Sequence, residues 1–408
     1  MKRRINKQNV FIFISIIFIV GLFLIYFNRL IYYKIFFNDK NENITDLAER
    51  LIKNNVLLEE NNEYYFYGKS ATNYVVYSSQ LWQVIKINND EITLISMKPI
   101  TNLFYDTEYN DSVINSYLTD DFYNILDNRQ IVNTTTCVND LNNEIDDCSN
   151  PYENTVVLLS LSLYDKLGGK DSFINNGYYT YLSNGVDKHY YIDENGEVNI
   201  TYSQNLYGIK PIITIKTKEI ISGSGTQNDP YILDEAKNIL SEASVGSYIR
   251  YGNKLWRILK NEDSTRLICN EIIENYLFEN STFNIYNSVY QYLNNEFINS
   301  LNQNILLESK FYNGEYIDDI RSIFYSTTAY VGLPFIMDLY LNDLNSYALI
   351  NTTDNSNLVY TVNSKGMTVQ SNSDYYGIRP IITIENNLTI TGLGTINSPY
   401  IIEGESNE

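Results

Sequence analysis

The pattern of apolar and polar positions separates one N-terminal apolar run from a long region of short predicted strands. The run extends from Val10 to Phe27 and is interrupted only by Ser15 and Gly21. Its length of about 18 residues is close to the ~20 that a helix needs to cross a bilayer. A helix of a soluble domain would show polar residues at helical spacing. The pattern therefore predicts a transmembrane helix.

Basic residues ahead of this run predict its orientation. Lysines and arginines dominate the first seven positions, and such positive charge keeps an N-terminus in the cytoplasm. A cleaved signal peptide is the alternative, but it needs small residues at its cleavage site, and bulky residues follow the run from Leu24 to Leu30. We interpret residues 1–34 as a cytoplasmic tail and signal anchor in the cell membrane, with the rest of the chain outside.

Four sequence blocks occur twice, in the same order, in the rest of the chain. Trp82 and Trp256 are equivalent at an offset of 174 positions, and Pro211 and Pro380 at an offset of 169. Repeats of this length correspond to whole domains and not to solenoid units. The four pairs are YVVYSSQLWQVIK and YIRYGNKLWRILK, YLTDDFYNIL and YLNNEFINSL, LYGIKPIITI and YYGIRPIITI, and SGSGTQNDPYIL and TGLGTINSPYII.

The block positions set the predicted domain limits. The first repeat domain occupies residues 60–233, a linker occupies 234–243, and the second repeat domain occupies 244–403. Apolar residues at helical spacing before the first copy predict a juxtamembrane helix within residues 35–59.

Each copy is predicted to begin with a β-hairpin. The first block alternates and is rich in β-branched and aromatic residues. Ser78-Ser79 in the first copy and Gly252-Asn253 in the second suit the turn. Trp82 and Trp256 then lie on the return strands, where we expect them to anchor the core.

Two helices are predicted after the hairpin. In the second block Tyr117, Leu118 and Phe122 fall on one helical face. A further helix is predicted at Ser160–Leu167, and its counterpart at Pro334–Leu341 places a proline in the first turn. Strands resume before the end of each copy. This order of strands, helices and strands predicts an α+β domain.

The blocks resemble a group of extracellular domains from low-GC Gram-positive bacteria that are similar to the C-type-lectin-like fold, in its formylglycine-generating-enzyme variety. The resemblance is carried by LWQVIK, YLTDDF, YGIKPIITI and GSGTQNDPY, and it covers nearly all of residues 60–403, once in each copy. It implies two tandem C-type-lectin-like domains with variable loops for ligand binding. The enzymes of this fold use reactive cysteines late in the domain, and this chain has none there. Tyr117 and Tyr292 also occupy the position where a tryptophan is expected. The catalytic activity of those enzymes is therefore not predicted for this chain.

The net charge of the chain excludes some classes of binding partner. The formal net charge is −20, and residues 1–34 carry six lysines and arginines and no acidic residue, so the rest of the chain has a net charge of −26. Nucleic acids and anionic lipid surfaces need cationic partners. The composition therefore argues against a nucleic-acid ligand and favours a soluble acidic ectodomain.

Three cysteines are too few for a disulfide-rich scaffold or a typical zinc-binding protein. Cys137 and Cys148 enclose a polar segment and are predicted to form a disulfide outside the cell, with two free thiols as the alternative. Cys269 lies in an apolar run and is interpreted as a small buried side chain.

The sequence contains no recognisable catalytic, cofactor or metal site. His189 is the only histidine, and its neighbours indicate an ordinary strand position. Adjacent acids such as Asp120-Asp121, Asp146-Asp147 and Asp318-Asp319 resemble the carboxylates of glycosidases, but a solvated surface is the simpler interpretation.

These observations favour a membrane-anchored extracellular binding or adhesion protein without catalytic activity, whose ligand is a glycan or a protein. The alternatives are an enzyme that acts on the cell wall or on glycans through carboxylates, and a structural envelope protein. Because a shared scaffold supports variable loops, binding is predicted on the segments where the copies differ. They are Thr134–Tyr152, Ser183–Tyr190, Tyr312–Ser326 and Asn342–Asn357, with Tyr152 and Tyr325 as candidate ligand-binding residues.

Overall fold

The structure is a computed structural model that describes most of residues 46–404. Within that range the undescribed positions are 70–71, 139–147, 149–150, 184–187, 203–204, 234–236, 279–282, 315–325, 344, 352, 354 and 356. No helix of the described residues has the length and apolar character to cross a membrane. The predicted anchor, residues 1–34, lies outside the described residues. Of the region predicted as a juxtamembrane helix, residues 47–54 form helix α1 (Leu47–Asn54), which Asp46 caps by accepting from the Glu49 N–H.

The prediction of an α+β fold is wrong, because the protein is mostly β, with 42% strand and 16% helix. Two features account for the difference. The segments between the blocks, which looked like loops, form further strands. The segment at Pro334–Leu341 is irregular where a helix was predicted. Because the fold is mostly β, it no longer supports the prediction of two tandem C-type-lectin-like domains.

Hydrogen bonds to distant parts of the chain explain why residues 334–341 do not form a helix. A helix would pair the Pro334 carbonyl with the N–H four residues later, but this carbonyl accepts from the Ile350 N–H at 2.8 Å. The Tyr340 N–H, which a helix would also pair internally, donates to the Ile100 carbonyl at 2.5 Å. Tyr340 has a positive φ of 59°, which lies outside the right-handed helical region. The buried Arg379 guanidinium then holds the end of the segment by donating to the Tyr340 carbonyl at 3.0 Å.

The first copy contains a large sheet, a smaller sheet and a separate hairpin. The large sheet has the order β16-β3-β4-β5-β15-β10, with β2 also beside β4, β1 beside β2, and β7 beside β15. The smaller sheet has the order β13-β12-β11-β14-β6, and β8 pairs with β9. The strands are β1 (Leu57–Glu60), β2 (Glu63–Phe66), β3 (Tyr74–Tyr77), β4 (Gln80–Asn88), β5 (Glu91–Ser96), β6 (Thr101–Leu103), β7 (Ile131–Val132), β8 (Thr134–Cys137), β9 (Pro151–Asn154), β10 (Val156–Leu158), β11 (Thr180–Tyr181), β12 (His189–Ile192), β13 (Val198–Thr201), β14 (Tyr207–Ile209), β15 (Pro211–Lys216) and β16 (Tyr231–Ile232).

The second copy repeats this arrangement except at the sheet edges: among the described residues β1 and β2 have no counterpart strands in it, and it adds β30 beside β31. Its large sheet contains the order β24-β29-β19-β18-β17-β31, its smaller sheet has the order β27-β26-β25-β28-β20, and β22 pairs with β23. The strands are β17 (Tyr248–Tyr251), β18 (Lys254–Asn261), β19 (Thr265–Cys269), β20 (Glu274–Leu277), β21 (Leu306–Leu307), β22 (Ser309–Tyr312), β23 (Ser326–Ala329), β24 (Val331–Gly332), β25 (Tyr347–Ala348), β26 (Leu358–Asn363), β27 (Gly366–Ser371), β28 (Tyr375–Ile378), β29 (Ile381–Ile384), β30 (Ile390–Thr391) and β31 (Tyr400–Ile402).

Details of pairing are shared as well as the strand order. Terminal strands β16 and β31 run parallel to β3 and β17, whereas the other ladders of the two large sheets are antiparallel. A register shift occurs between Val84 and Lys86 in β4 and between Ile258 and Lys260 in β18, which are equivalent positions. Each sheet takes its strands from one copy only.

The predicted hairpins and their tryptophans are present in both copies. Ser78 and Ser79, like Gly252 and Asn253, have positive φ angles, as a two-residue type I′ turn requires. Trp82 and Trp256 are fully buried. The Trp82 Nε1–H donates to the Tyr77 carbonyl at 3.0 Å, and the Trp256 Nε1–H donates to the Tyr251 carbonyl at 2.8 Å. Each tryptophan thus fixes its own hairpin from within the core.

The helices are short, and the second block forms an irregular one in each copy. Helix α2 (Val113–Ser116) continues as a π-helix (Tyr117–Phe122) and a 3₁₀ turn (Tyr123–Ile125). In the second copy α4 (Ser288–Gln291) continues in the same way through Tyr292–Glu296 and Phe297–Ser300. The predicted helix at Ser160–Leu167 is confirmed as α3 (Leu161–Lys166), capped by the Ser160 hydroxyl. Further 3₁₀ turns are Tyr109–Asp111, Asn128–Gln130, Gly169–Asp171 and Leu240–Glu242.

The two copies pack against each other over a continuous apolar core. At this interface Asn228 and Asn397, which are equivalent residues of the fourth block, meet directly: the Asn397 Nδ2–H donates to the Asn228 carbonyl at 2.6 Å. Contact between the same element of each copy is what an approximate two-fold arrangement produces. Buried Asn342 adds a hydrogen bond to Asn102 across the interface, at 2.9 Å.

Candidate functional site

A cleft of about 200 Å³ lies between the two copies. Both copies contribute equivalent elements to its walls: the hairpin of the first block and the turn of the fourth block. We call it the inter-repeat cleft. Its lining residues are Val76, Ser79, Gln80, Leu81, Ser96, Met97, Lys98, Ile100, Gln227, Asn228, Pro230, Tyr248, Arg257, Thr395, Ile396 and Asn397.

Glycines fix the two turns that border the inter-repeat cleft. Gly225 and Gly394 have φ angles of 80° and 70°, a region that favours glycine. A Cβ at these positions would lie 2.3 Å from the Tyr231 ring and 2.5 Å from the Tyr400 ring. The tyrosines therefore pack directly onto the turn backbone. This packing holds each turn at the edge of the cleft.

Arg257 is the principal cation of the inter-repeat cleft. Its guanidinium lies 3.5 Å from the ring centroid of Tyr340 and 5.1 Å from that of Tyr248, so that cation–π contacts orient it. Its Nε–H donates to the Gly246 carbonyl at 3.1 Å. Within the described part of the chain no carboxylate pairs with this guanidinium. Its outer nitrogens are therefore available to a ligand.

Gln80 is buried in the wall of the same cleft with an unsatisfied donor. Only 2% of the residue is exposed, and its Nε2 has no hydrogen-bond partner among the described residues. Such a buried amide is unfavourable unless something pairs with it. Gln80 and Arg257 both lie against Gly246. The Arg257 Nε–H donates to the Gly246 carbonyl, and a Cβ built on Gly246 would lie 2.8 Å from the Gln80 Cγ. The two polar groups are thus held on one small patch.

The Tyr340 hydroxyl approaches this patch from the second copy. A Cβ at Gly246 would lie 2.7 Å from the hydroxyl oxygen, which, like the Gln80 amide, has no partner in the described residues. Burial raises the pKa of Tyr340 to about 12, although the Arg257 charge opposes the shift. The phenol therefore remains a neutral donor at physiological pH.

The charge of the inter-repeat cleft is opposite to that of the whole chain. Among the described residues its charged lining side chains are those of Lys98, which is exposed, and Arg257, and no aspartate or glutamate lines it. The full chain has a net charge of −20. A local cationic site in an acidic protein selects for anions, because elsewhere the surface repels them.

Two other cavities have less suitable linings. A more open cavity of about 640 Å³ shares Val76 and Ser79 with the inter-repeat cleft, but its charges are of both signs, and Asp127 already pairs with Arg129 at 2.7 Å. A cavity of about 10 Å³ adjoins Lys210, whose Nζ donates to the Ile174 carbonyl at 2.9 Å. Burial lowers the pKa of Lys210 to about 7. That cavity has no room for a ligand.

The predicted ligand-binding loops lie elsewhere. Tyr152 is in strand β9 and is half-buried, with its hydroxyl accepting from Asn115 and Asn154 at 2.9 and 3.0 Å and its ring against Tyr109. These contacts are those of a packing residue. Tyr325 lies outside the described residues. Segment Thr134–Tyr152 is partly a hairpin, closed by the Cys137–Cys148 disulfide, whose Cα atoms are 5.4 Å apart.

Sequence reasoning located His189 correctly and overlooked the inter-repeat cleft. His189 lies in strand β12, buried and stacked on Tyr105 with 4.0 Å between ring centroids, and burial lowers its pKa. The cleft joins segments more than 150 positions apart, and no local pattern marks them. One available signal was the replacement of Gln83 in the first copy by Arg257 in the second.

Comparisons of the chain with protein families, with curated proteins and with solved structures give no match. The resemblance to lectin-like extracellular domains accordingly stays a prediction from the four sequence blocks.

Proposed function

We propose that the protein is an extracellular binding protein that holds a small ligand in the inter-repeat cleft. The observation that carries the proposal is the buried Gln80 amide, whose Nε2 has no partner in the described residues. Buried polar groups are normally paired, and an exception needs a reason. Gln80 lines the cleft, so a rotation of its side chain would present this amide to a ligand that accepts a hydrogen bond.

The composition of the cleft supports binding. Concave sites for small molecules combine apolar walls with a few placed polar groups. Here Leu81, Ile100 and Pro230 supply apolar surface, and Gln80 and Arg257 supply polar groups. Because each copy contributes a hairpin and a turn, the site exists only in the tandem protein. This gives the duplication a functional purpose.

The extracellular location is part of the proposal. The basic N-terminus followed by the apolar run from Val10 to Phe27 favours retention at the cell membrane with the repeats outside. The Cys137–Cys148 disulfide supports an oxidising compartment. Digestion of intact cells with a protease should release the repeat region.

A substitution that fills the inter-repeat cleft tests the proposal. A thermal-shift screen of the purified full-length chain should find small molecules that raise the melting temperature, because ligands stabilise the state that they bind. Gln227 is exposed at the cleft, and Gln227→Trp should abolish these shifts by filling the opening. The matched control is Gln370→Trp, at an exposed residue that does not line the cleft. Hits that persist in Gln227→Trp would place binding elsewhere.

A further inference from the structure

We infer that the ligand of the inter-repeat cleft carries a carboxylate on a small, partly apolar body, and that Arg257 binds the carboxylate. The inference rests on the proposed function and adds the chemical class of the ligand. It depends on the charge of the cleft, the geometry of its donors and its size.

The donors match a planar monoanion. Arginine presents a planar fork of N–H groups that fits a carboxylate in a bidentate manner. The Arg257 fork is fixed on its inner side by the Gly246 carbonyl and on its face by the Tyr340 ring, which leaves the outer edge for a ligand. Lys98, the other cation that lines the cleft, is exposed. One oriented cation favours a single negative charge over a phosphate dianion.

The uncharged donors support the same ligand. Gln80 lines the cleft, where a rotation of its side chain would present the amide N–H to a ligand; the Tyr340 hydroxyl lies beside it but outside the lining, and neither group has a partner in the described residues. Both converge with Arg257 on Gly246. A carboxylate accepts up to about four hydrogen bonds, so it can satisfy groups that the unliganded protein leaves unpaired. A neutral ligand would satisfy fewer of them.

The size and the remaining surface define the body of the ligand. A cavity of about 150 Å³ is known to hold benzene, so the 200 Å³ of the inter-repeat cleft accommodates one ring with a carboxylate. Apolar contacts come from Val76, Leu81, Ile100 and Ile396. The ring has two possible sources, an aromatic acid or an acidic sugar, and they share the carboxylate chemistry.

Paired probes test the inference by calorimetry on the purified full-length chain. Benzoate is compared with benzamide, and glucuronate with glucose, so that each pair differs in the charged group. At least one acid should bind with a Kd on the order of millimolar, as befits a ligand of this size. It should bind about tenfold or more tightly than its neutral partner, because hydrogen bonds to charged groups are the stronger ones. Which acid binds identifies the source of the ring.

Substitutions assign the effect to the inter-repeat cleft. Arg257→Gln should abolish the preference for the acid, and Arg257→Lys should keep the charge but reduce the affinity severalfold, because the bidentate fork is lost. Arg250→Gln is the matched control, since Arg250 belongs to the same hairpin and does not line the cleft. A melting curve of each variant verifies that it is folded.

The failures are distinguishable. Equal binding of acid and neutral partner, tighter binding of inorganic phosphate, or no binding of either acid overturns the carboxylate inference. The proposed function survives these results if neutral molecules from the thermal-shift screen are lost in Gln227→Trp. An acid preference that Arg257→Gln leaves intact also overturns the inference, because the carboxylate would then lie elsewhere.

Discussion

Replacement of Lys210 by methionine should stabilise the protein, and the gain should shrink as the pH rises. Lys210 is 5% exposed and lies directly before strand β15, where its Nζ donates to the Ile174 carbonyl. Burial lowers its pKa from 10.5 to about 7. Over the range between these values the unfolded chain binds a proton that the native state does not. Stability from this residue therefore increases from pH 7 towards pH 10.5 and is lowest below pH 7.

The magnitude follows from the two pKa values. At 1.36 kcal/mol for each pKa unit, a buried lysine with these values destabilises the native state by about 4 kcal/mol at pH 7 and by about 2 kcal/mol at pH 9. Loss of the hydrogen bond offsets about 1 kcal/mol. Lys210→Met should therefore raise the free energy of unfolding by about 3 kcal/mol at pH 7, and by roughly 2 kcal/mol less at pH 9.

Urea denaturation of both proteins between pH 6 and pH 9 measures this difference. The buried tyrosines, whose pKa values are raised, titrate alike in both proteins and cancel in the comparison. Lys216→Met, at the exposed end of the strand that follows Lys210, is the matched control and should show no pH-dependent gain. A destabilised Lys210→Met protein at pH 7, or a gain that stays constant with pH, would refute the reasoning.

Three further predictions concern the fold and its location. Trp82→Ala should lower the free energy of unfolding by about 3–5 kcal/mol, measured by chemical denaturation, because a fully buried ring is lost. Mass spectrometry of the oxidised protein should show the Cys137–Cys148 bridge, and its reduction should lower stability by about 3 kcal/mol; two free thiols would contradict this. Protease treatment of intact cells should release the repeat region, and complete protection would contradict an extracellular location.

Local patterns predicted the hairpins because their determinants lie within a few residues. Alternating apolar residues, the two-residue turns and the tryptophans specify β3–β4 and β17–β18 without reference to the rest of the fold. The duplication helped, since a feature present in both copies is less open to chance. The same holds for helix α3, whose cap at Ser160 lies beside it in sequence.

Tertiary contacts decided the elements that sequence reasoning got wrong. Pro334 and the apolar residues after it suit a helix, but the Pro334 carbonyl accepts from the Ile350 N–H and the Tyr340 N–H donates to the Ile100 carbonyl. Backbone partners far along the chain thus override the local preference. The segment that contains β8 and β9 has the polar composition of a loop, but these two strands pair with each other as an antiparallel hairpin. The mostly β fold results from such segments.

The inter-repeat cleft could not be predicted from the sequence, because it depends on how the copies pack. Gln80 and Arg257 are ordinary residues of two hairpins, and only the interface brings both against Gly246. Differences between the two copies do mark the cleft, but the binding site was predicted from differences between their loops. The informative differences were single positions inside the shared blocks.

The melting curve of Gln80→Met, with and without the acid that binds best, tests the central claim most directly. If Gln80 is held unpaired for a ligand, methionine removes a buried amide that the free protein leaves unsatisfied. The melting temperature without ligand should then rise by several degrees, corresponding to about 1 kcal/mol or more, while the shift produced by the ligand should fall. A variant that melts lower than the original protein and responds to the ligand as the original does would show that Gln80 is structural. That result would contradict the assignment of the inter-repeat cleft as the binding site.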